Sequence, residues 1–264
     1  MQSFVAAGQS SHHSNAMYVC AHMLLLILWV QNMLEVLRQE KKYLISLDQY
    51  YYLSRRFAKL LMEDNNSSGD GYTIRSLYFD SINDRDFEEK IDGVDLRRKI
   101  RLRNYGPDSK SAKLEMKQKQ GILQKKRSLS LSRAQSGRLI KGDYSVLLES
   151  DSDFAGECFG MMHMHCYRPK AVVSYTRKVF VAKENEIRIT FDHHIKGSET
   201  DFDIFSDSLV ENMLFDPFLV VMEVKYNGFL LSYIKDLVNE VNASELAVSK
   251  YCLSRTIGKE YLFL

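Results

Sequence analysis

The sequence predicts an α+β fold organised around a mostly antiparallel sheet, on three observations. Eight short segments are rich in β-formers, and several alternate charged and apolar residues with period two. Most of these segments are separated by turn-sized stretches, which suits antiparallel pairing. Two S-x-x-Q capping boxes, Ser46–Gln49 and Ser132–Gln135, each open a helical pattern between strands.

The elements follow in order. Residues 34–45 read as a first strand of mixed polarity. Leu53, Phe57, Leu60 and Leu61 then recur at helical spacing, so 48–63 is predicted to be an amphipathic helix. "EDNNSSGDG" is a loop by composition, 74–80 a strand, and 82–93 a turn or short helix. Strands are predicted at 95–105, 112–119 and 125–131, with Gly121 marking the turn between the last two. A helical interlude from Ser132 to Met164 precedes strands at 171–181, 186–192 and 219–226. Helices are expected at 230–242 and near the end of the chain.

Residues 99–103, "KIRLR", place Ile100 and Leu102 on one face and Lys99, Arg101 and Arg103 on the other. The pattern recurs. Arg38, Glu40 and Lys42 share a parity, as do Glu115, Lys117 and Lys119, then Lys125 and Arg127, then Arg188, Thr190 and Asp192, then Glu223 and Lys225. The net charge of +2 over 264 residues hides this concentration: residues 97–127 hold twelve Lys/Arg against Asp108 and Glu115, so this segment is +10 and the remainder −8. Two arrangements stand open. An ordinary sheet would turn its charged face to water. An inverted barrel would turn it into a lumen, where crowded cations need a polyanion. Arginine forks and lysine point charges suit phosphate oxygens. Carboxylates among them suit Mg²⁺ or Mn²⁺ bridged to phosphate.

Composition excludes several classes. Apolar content of 45% and charged content of 27% are those of a globular chain. Cys20, Cys158, Cys166 and Cys252 have no framework spacing, and are read as reduced thiols in a cytoplasmic protein. "CFGMMHMHC" (158–166) reads as a packed helix end rather than a zinc site. Residues 1–32 are expected to be a non-domain extension, with the domain at 33–264. The apolar run at 18–30 is short for a membrane span and lacks a basic n-region, so it reads as upstream sequence first and as a membrane anchor second. No Walker A, G-x-G-x-x-G or G-x-S-x-G motif is present.

Eight stretches, in order, resemble the VTC domain of the triphosphate tunnel metalloenzymes (CYTH-like): "EKKYLIS" (40–46), "IRSLYFD" (74–80), "KIRLRNYG" (99–106), "LEMKQK" (114–119), "YRPKAVVSYTRKVFV" (167–181), "IRITFD" (187–192), "MEVKYNGFL" (222–230) and "SKYC" (249–252). Arg38 stands where the broader superfamily has the first glutamate of its ExExK signature, which favours the VTC branch. The resemblance implies an eight-stranded antiparallel barrel, a tunnel with helices packed outside. It implies a polyphosphate polymerase that moves the γ-phosphoryl of ATP to a polyphosphate chain with Mn²⁺ or Mg²⁺ as cofactor. Phosphate contacts are expected from Lys42, Arg101, Arg103, Lys117, Lys125, Arg127, Arg177, Arg188, Lys225 and Lys250. Glu223, with Glu115 and Glu40, is the expected metal set, and Arg101, Arg103, Lys117 and Glu223 the expected catalytic set. ATP and polyphosphate or triphosphate are the expected partners, rather than nucleic acid or a membrane. Three rivals remain: a tripolyphosphatase using Glu40 or Glu115 as base, a non-catalytic polyphosphate binder, and a nucleic-acid binder. The last is weakened because Tyr105 is the only aromatic in 97–127.

Overall fold

The structure is a computed structural model that describes residues 38–260 apart from 68, 122, 242, 247 and 248. The expectations for residues 1–32 lie outside the described residues. Ten strands form one antiparallel sheet: β1 (Arg38–Ser46), β2 (Met62–Glu63), β3 (Tyr72–Asp80), β4 (Arg97–Asn104), β5 (Ser111–Gln120), β6 (Leu123–Ser132), β7 (Arg168–Val181), β8 (Arg188–Ser198), β9 (Asn212–Met213) and β10 (Leu219–Asn227). Eight of them run in the order β1-β10-β8-β7-β3-β4-β5-β6, with β2 on β7 and β9 on β8.

The closed barrel is corrected by this topology. Among the described residues no ladder joins β6 to β1. Part of the free edge of β1 is taken instead by a returning segment: Tyr43 bridges Glu245, and Leu246 N–H donates to Lys42 O at 2.8 Å. β6 remains an edge, exposed along most of its length and lysine-bearing, which discourages pairing with other chains. The sheet nevertheless curls strongly. β1 and β5 are six strand steps apart in the path, roughly 29 Å in a flat sheet. Yet Lys117 Nζ on β5 lies 3.8 Å from Glu40 Oε2 on β1. The charged face is therefore the concave one.

Helices cover the convex face. α1 (Leu47–Leu60) starts at the predicted capping box, with Gln49 N–H donating to Ser46 Oγ and Ser46 N–H to Gln49 Oε1. It buries Tyr50, Leu53 and Phe57 against Phe191 and Met222 of the sheet, worth about 1.5–3 kcal/mol for each fully buried side chain. It stops short of residue 63 because Met62 and Glu63 pair with Val181 and Phe180 of β7. α2 (Arg85–Ile91) falls in the predicted turn or short helix. α3 (Arg133–Ile140), a 3-10 turn (Tyr144–Glu149) and α4 (Asp153–Met164) make up the interlude. They cover Leu77, Ile100, Leu102, Leu114 and Met116, the apolar parity of β3, β4 and β5. α5 (Ser232–Glu240) packs beside α1, whereas α6 (Lys250–Glu260), the last described helix, packs against the opposite, concave face. No described helix is long and apolar enough to cross a membrane.

Candidate functional site

Two walls of the concave face carry most of the charge. The first is built by β1 and β10, where Lys42 stands opposite Glu223 and Glu40 opposite Lys225. Lys42 Nζ lies 2.8 Å from Glu40 and 3.8 Å from Glu223. Lys225 pairs directly with Glu223 and lies 3.9 Å from Glu40. Burial alone would raise the Glu40 carboxyl, but the ammonium groups of Lys225, Lys42 and Lys117 hold it down at about 2. Glu223 is similarly held below the usual range against burial, chiefly by Lys225. Two carboxylates sharing two lysines form an oxygen donor set that fits a hard divalent cation completed by phosphate oxygens. Glu115, the third expected metal ligand, is not part of this set. It lies five strand steps from β10 and six from β1 in the sheet order, among arginines, so the structure brings only two of the three expected glutamates together.

The second wall is built by β3, β4 and β5. Arg101 Nε donates to Glu115 Oε2 at 2.7 Å and Nη1 to the Tyr78 hydroxyl at 3.4 Å. Arg103 donates to Ser76 Oγ and the Tyr175 hydroxyl, both at 3.2 Å, and lies 3.9 Å from Glu115. Both planar forks are thus fixed by neutral partners as well as by charge. Burial would raise Glu115, but Arg101, Arg103 and Lys126 hold it at about 2. Lys126 Nζ meets Glu115 Oε1 at 2.5 Å.

Lys126 takes the place expected for Lys125 and Arg127. In the β5–β6 ladder Gln120 faces Leu123, which sets Lys126 opposite Lys117 and puts Lys125 and Arg127 on the convex side. There Arg127 pairs with Glu157 of α4 and its guanidinium sits 5.0 Å over the Phe154 ring. Arg177 and Lys250 do reach the concave face, but both are bonded to Asp192, at 2.6 Å each. Asp192 is fully buried and, despite burial, is driven well below the usual carboxylate range by these two cations. Gly71 allows the approach behind this cluster: its φ is +111°, and a Cβ there would come within 2.3 Å of Arg177 O. Arg188, opposite Lys225 on β8, is engaged by Asp64 at 3.0 Å.

The concave face thus gathers Lys42, Lys99, Arg101, Arg103, Lys117, Lys126, Arg177, Arg188, Lys225 and Lys250, with Glu40, Glu115, Asp192 and Glu223 among them and Asp64 against Arg188. These cations outnumber the carboxylates about two to one, which leaves a positive excess on the curled face. The sequence pattern missed Lys126, Tyr78 and Tyr175 as site components, and placed Lys99 and Asp192 on the right face without giving them a role in the site. A hairpin register counted outward from Gly121 would have found Lys126.

The concave face is not charged throughout. Leu44, Val173, Val221 and Tyr78 pack with Tyr251 and Cys252 of α6 into an apolar cluster. Two cavities lie outside the charged region. One of about 590 Å³ sits on the outer side of α1, beside Asp48, Tyr51, Tyr52, Arg55 and Arg56. The other, about 410 Å³, lies beyond Ser249 and Cys252. In "CFGMMHMHC", Cys158 and Met162 are packed in the apolar cluster under α4, and His163 stacks on Phe159.

The VTC domain matches this chain over residues 37–257, and the chain belongs to the VTC-domain family. No curated protein matches it by sequence. Among solved structures, an adenylate cyclase candidate from Bacillus halodurans is similar with TM-score 0.47 and 12% identity, over 81% of this chain and 95% of that one. An adenylate cyclase candidate from Vibrio parahaemolyticus follows at TM-score 0.44 and 11% identity, over 82% and 97%. A protein from Pyrococcus horikoshii OT3 gives 0.42 and 11%, over 84% and 99%. Likenesses this distant carry no argument about activity.

Proposed function

We propose that the chain is a metal-dependent phosphoryl transferase of the polyphosphate polymerase type, moving the γ-phosphoryl of ATP to the end of a polyphosphate chain. The carrying observation is the excess of cations on the concave face. It is unfavourable when empty, and a polyanion relieves it. Membership of the VTC-domain family supports the same reading.

The residues divide the work. Arg101 and Arg103 present fixed forks to the phosphate oxygens, while Lys42, Lys117 and Lys225 neutralise charge as it redistributes. Glu40 and Glu223 would hold Mn²⁺ or Mg²⁺, which supplies charge withdrawal from bridging phosphate oxygens. In the transfer, a terminal oxygen of the acceptor chain bonds to the γ-phosphorus. The bond from that phosphorus to the β,γ-bridging oxygen breaks, and ADP leaves with the electron pair. The acceptor oxygen is already anionic, so no strong base is needed, and positioning with charge stabilisation carries the step. A tripolyphosphatase would instead need Glu40 or Glu115 to activate water. Carboxylates held at about 2 are weak bases for that task.

The test is to incubate the chain with ATP and Mn²⁺, with and without a short polyphosphate primer, and resolve products by length. Primer-dependent growth is expected, and Glu223→Gln is expected to reduce it by about 100-fold or more. Release of free phosphate with no growth would favour the hydrolase, and full turnover by Glu223→Gln would remove the metal assignment.

A further inference from the structure

Three lysines stand directly opposite one another on adjacent strands: Lys99 on β4 faces Lys117 on β5, which faces Lys126 on β6. Like charges in cross-strand register repel. Lys126 is compensated by Glu115, and Lys117 lies 3.8 Å from Glu40. Lys99 is held by neutral groups instead. Among the described residues no carboxylate is paired with it, and its contacts are neutral. Its Nζ donates to Ser249 Oγ at 2.7 Å and lies 5.7 Å from the centroid of the Tyr251 ring. Ser249 also receives Cys252 N–H at 3.3 Å, as an N-cap of α6 would. The ammonium is therefore held against the positive end of a helix, where a cation is disfavoured. Burial accordingly pushes Lys99 below the usual lysine range.

Tyr251 and Cys252 of α6 pack against Leu44 and Val221 of the concave face, so the lysine row adjoins an apolar wall. A linear polyphosphate lying along the arginines would meet this wall. Its last phosphate carries more charge than an internal one and needs more compensation.

We propose that Lys99, with Lys117 and Lys126, forms a subsite for the terminal phosphate of a linear polyphosphate, so that the site reads the end of the chain rather than its middle. The inference rests on the polyphosphate reading above and adds which part of the ligand is recognised. Ser249 is the positioning residue that aims the Lys99 ammonium.

The test is calorimetric titration of wild type, Lys99→Met and Lys225→Met with linear tripolyphosphate and with cyclic trimetaphosphate, which has no end. Lys225→Met, on the opposite wall, is expected to weaken both ligands by similar factors. Lys99→Met is expected to weaken tripolyphosphate about 10- to 100-fold while changing trimetaphosphate less than about threefold. Lys99→Gln, which keeps a donor for Ser249, should give the same ligand ratio if the Met variant misfolds. Equal weakening of both ligands by the Lys99 variants, or no weakening of either, overturns the terminal subsite alone. Failure of wild type to bind either ligand overturns the polyphosphate reading itself.

Discussion

The two walls of the concave face solve the same problem with different chemistry. On β1 and β10, glutamates and lysines alternate, and each lysine is shared between two carboxylates. On β3 to β5, arginines are tied to hydroxyls of Ser76, Tyr78 and Tyr175 and to the single carboxylate of Glu115. The first wall is a set of exchangeable point charges that suits a metal ion and moving phosphate. The second is pre-organised, because guanidinium planes fixed by neutral acceptors keep donors aimed without full neutralisation. The difference teaches that the positive excess is concentrated where the geometry is most rigid.

Exchanging the cation type is the strongest way to break this comparison. Arg103→Lys removes the fork while keeping the charge, and should weaken tripolyphosphate binding about 30- to 100-fold by calorimetry. Lys225→Arg should change it less than about threefold. Comparable losses at both positions would erase the distinction between the walls.

Acid titration sharpens it further. Glu115 is held at about 2 against an ordinary value of 4.5, with burial opposed by Arg101, Arg103 and Lys126. A depressed carboxyl contributes stability that is present above the ordinary value and is lost as pH falls through the folded one. Wild type should therefore lose this contribution between about pH 4.5 and pH 2. Glu115→Gln should melt about 5 °C lower at pH 7, with the gap closing across that window. A gap independent of pH would place the stabilisation elsewhere.

A buried carboxyl outside both walls gives the smallest expected effect, with the opposite sign. Asp86, accepting from the Tyr167 hydroxyl at 2.9 Å, is raised to about 7 by burial and by the neighbouring Asp80. Its raised value means stability is greatest below the ordinary carboxyl range and declines as pH rises through 7. Asp86→Asn should raise the melting temperature by about 2–4 °C at pH 8 and leave it unchanged at pH 4.

Much of this was legible in the chain. The parity of "KIRLR" and "MEVKY" fixed which side chains share a face, and both capping boxes began helices where expected. Three consecutive cations, Lys125 to Arg127, defeat a parity argument, because alternation alone does not say which of them points inward. Closure of the sheet was also out of reach. Whether β1 pairs with β6 depends on a returning segment, Glu245 and Leu246, some 200 residues from β1 in sequence. Asp192 stood on the charged parity of β8, but that Lys250 joins Arg177 on this one buried carboxylate is a product of packing among β7, β8 and α6.

The measurement that most directly tests the account removes two cations from either side of the same sheet and compares tripolyphosphate affinity. Arg101→Ala/Arg103→Ala empties the concave side, and Lys125→Ala/Arg127→Ala removes equal charge from the convex side. The account predicts a loss of about 100-fold or more for the first pair and less than about threefold for the second. Equal losses, or a larger one for the convex pair, would contradict it.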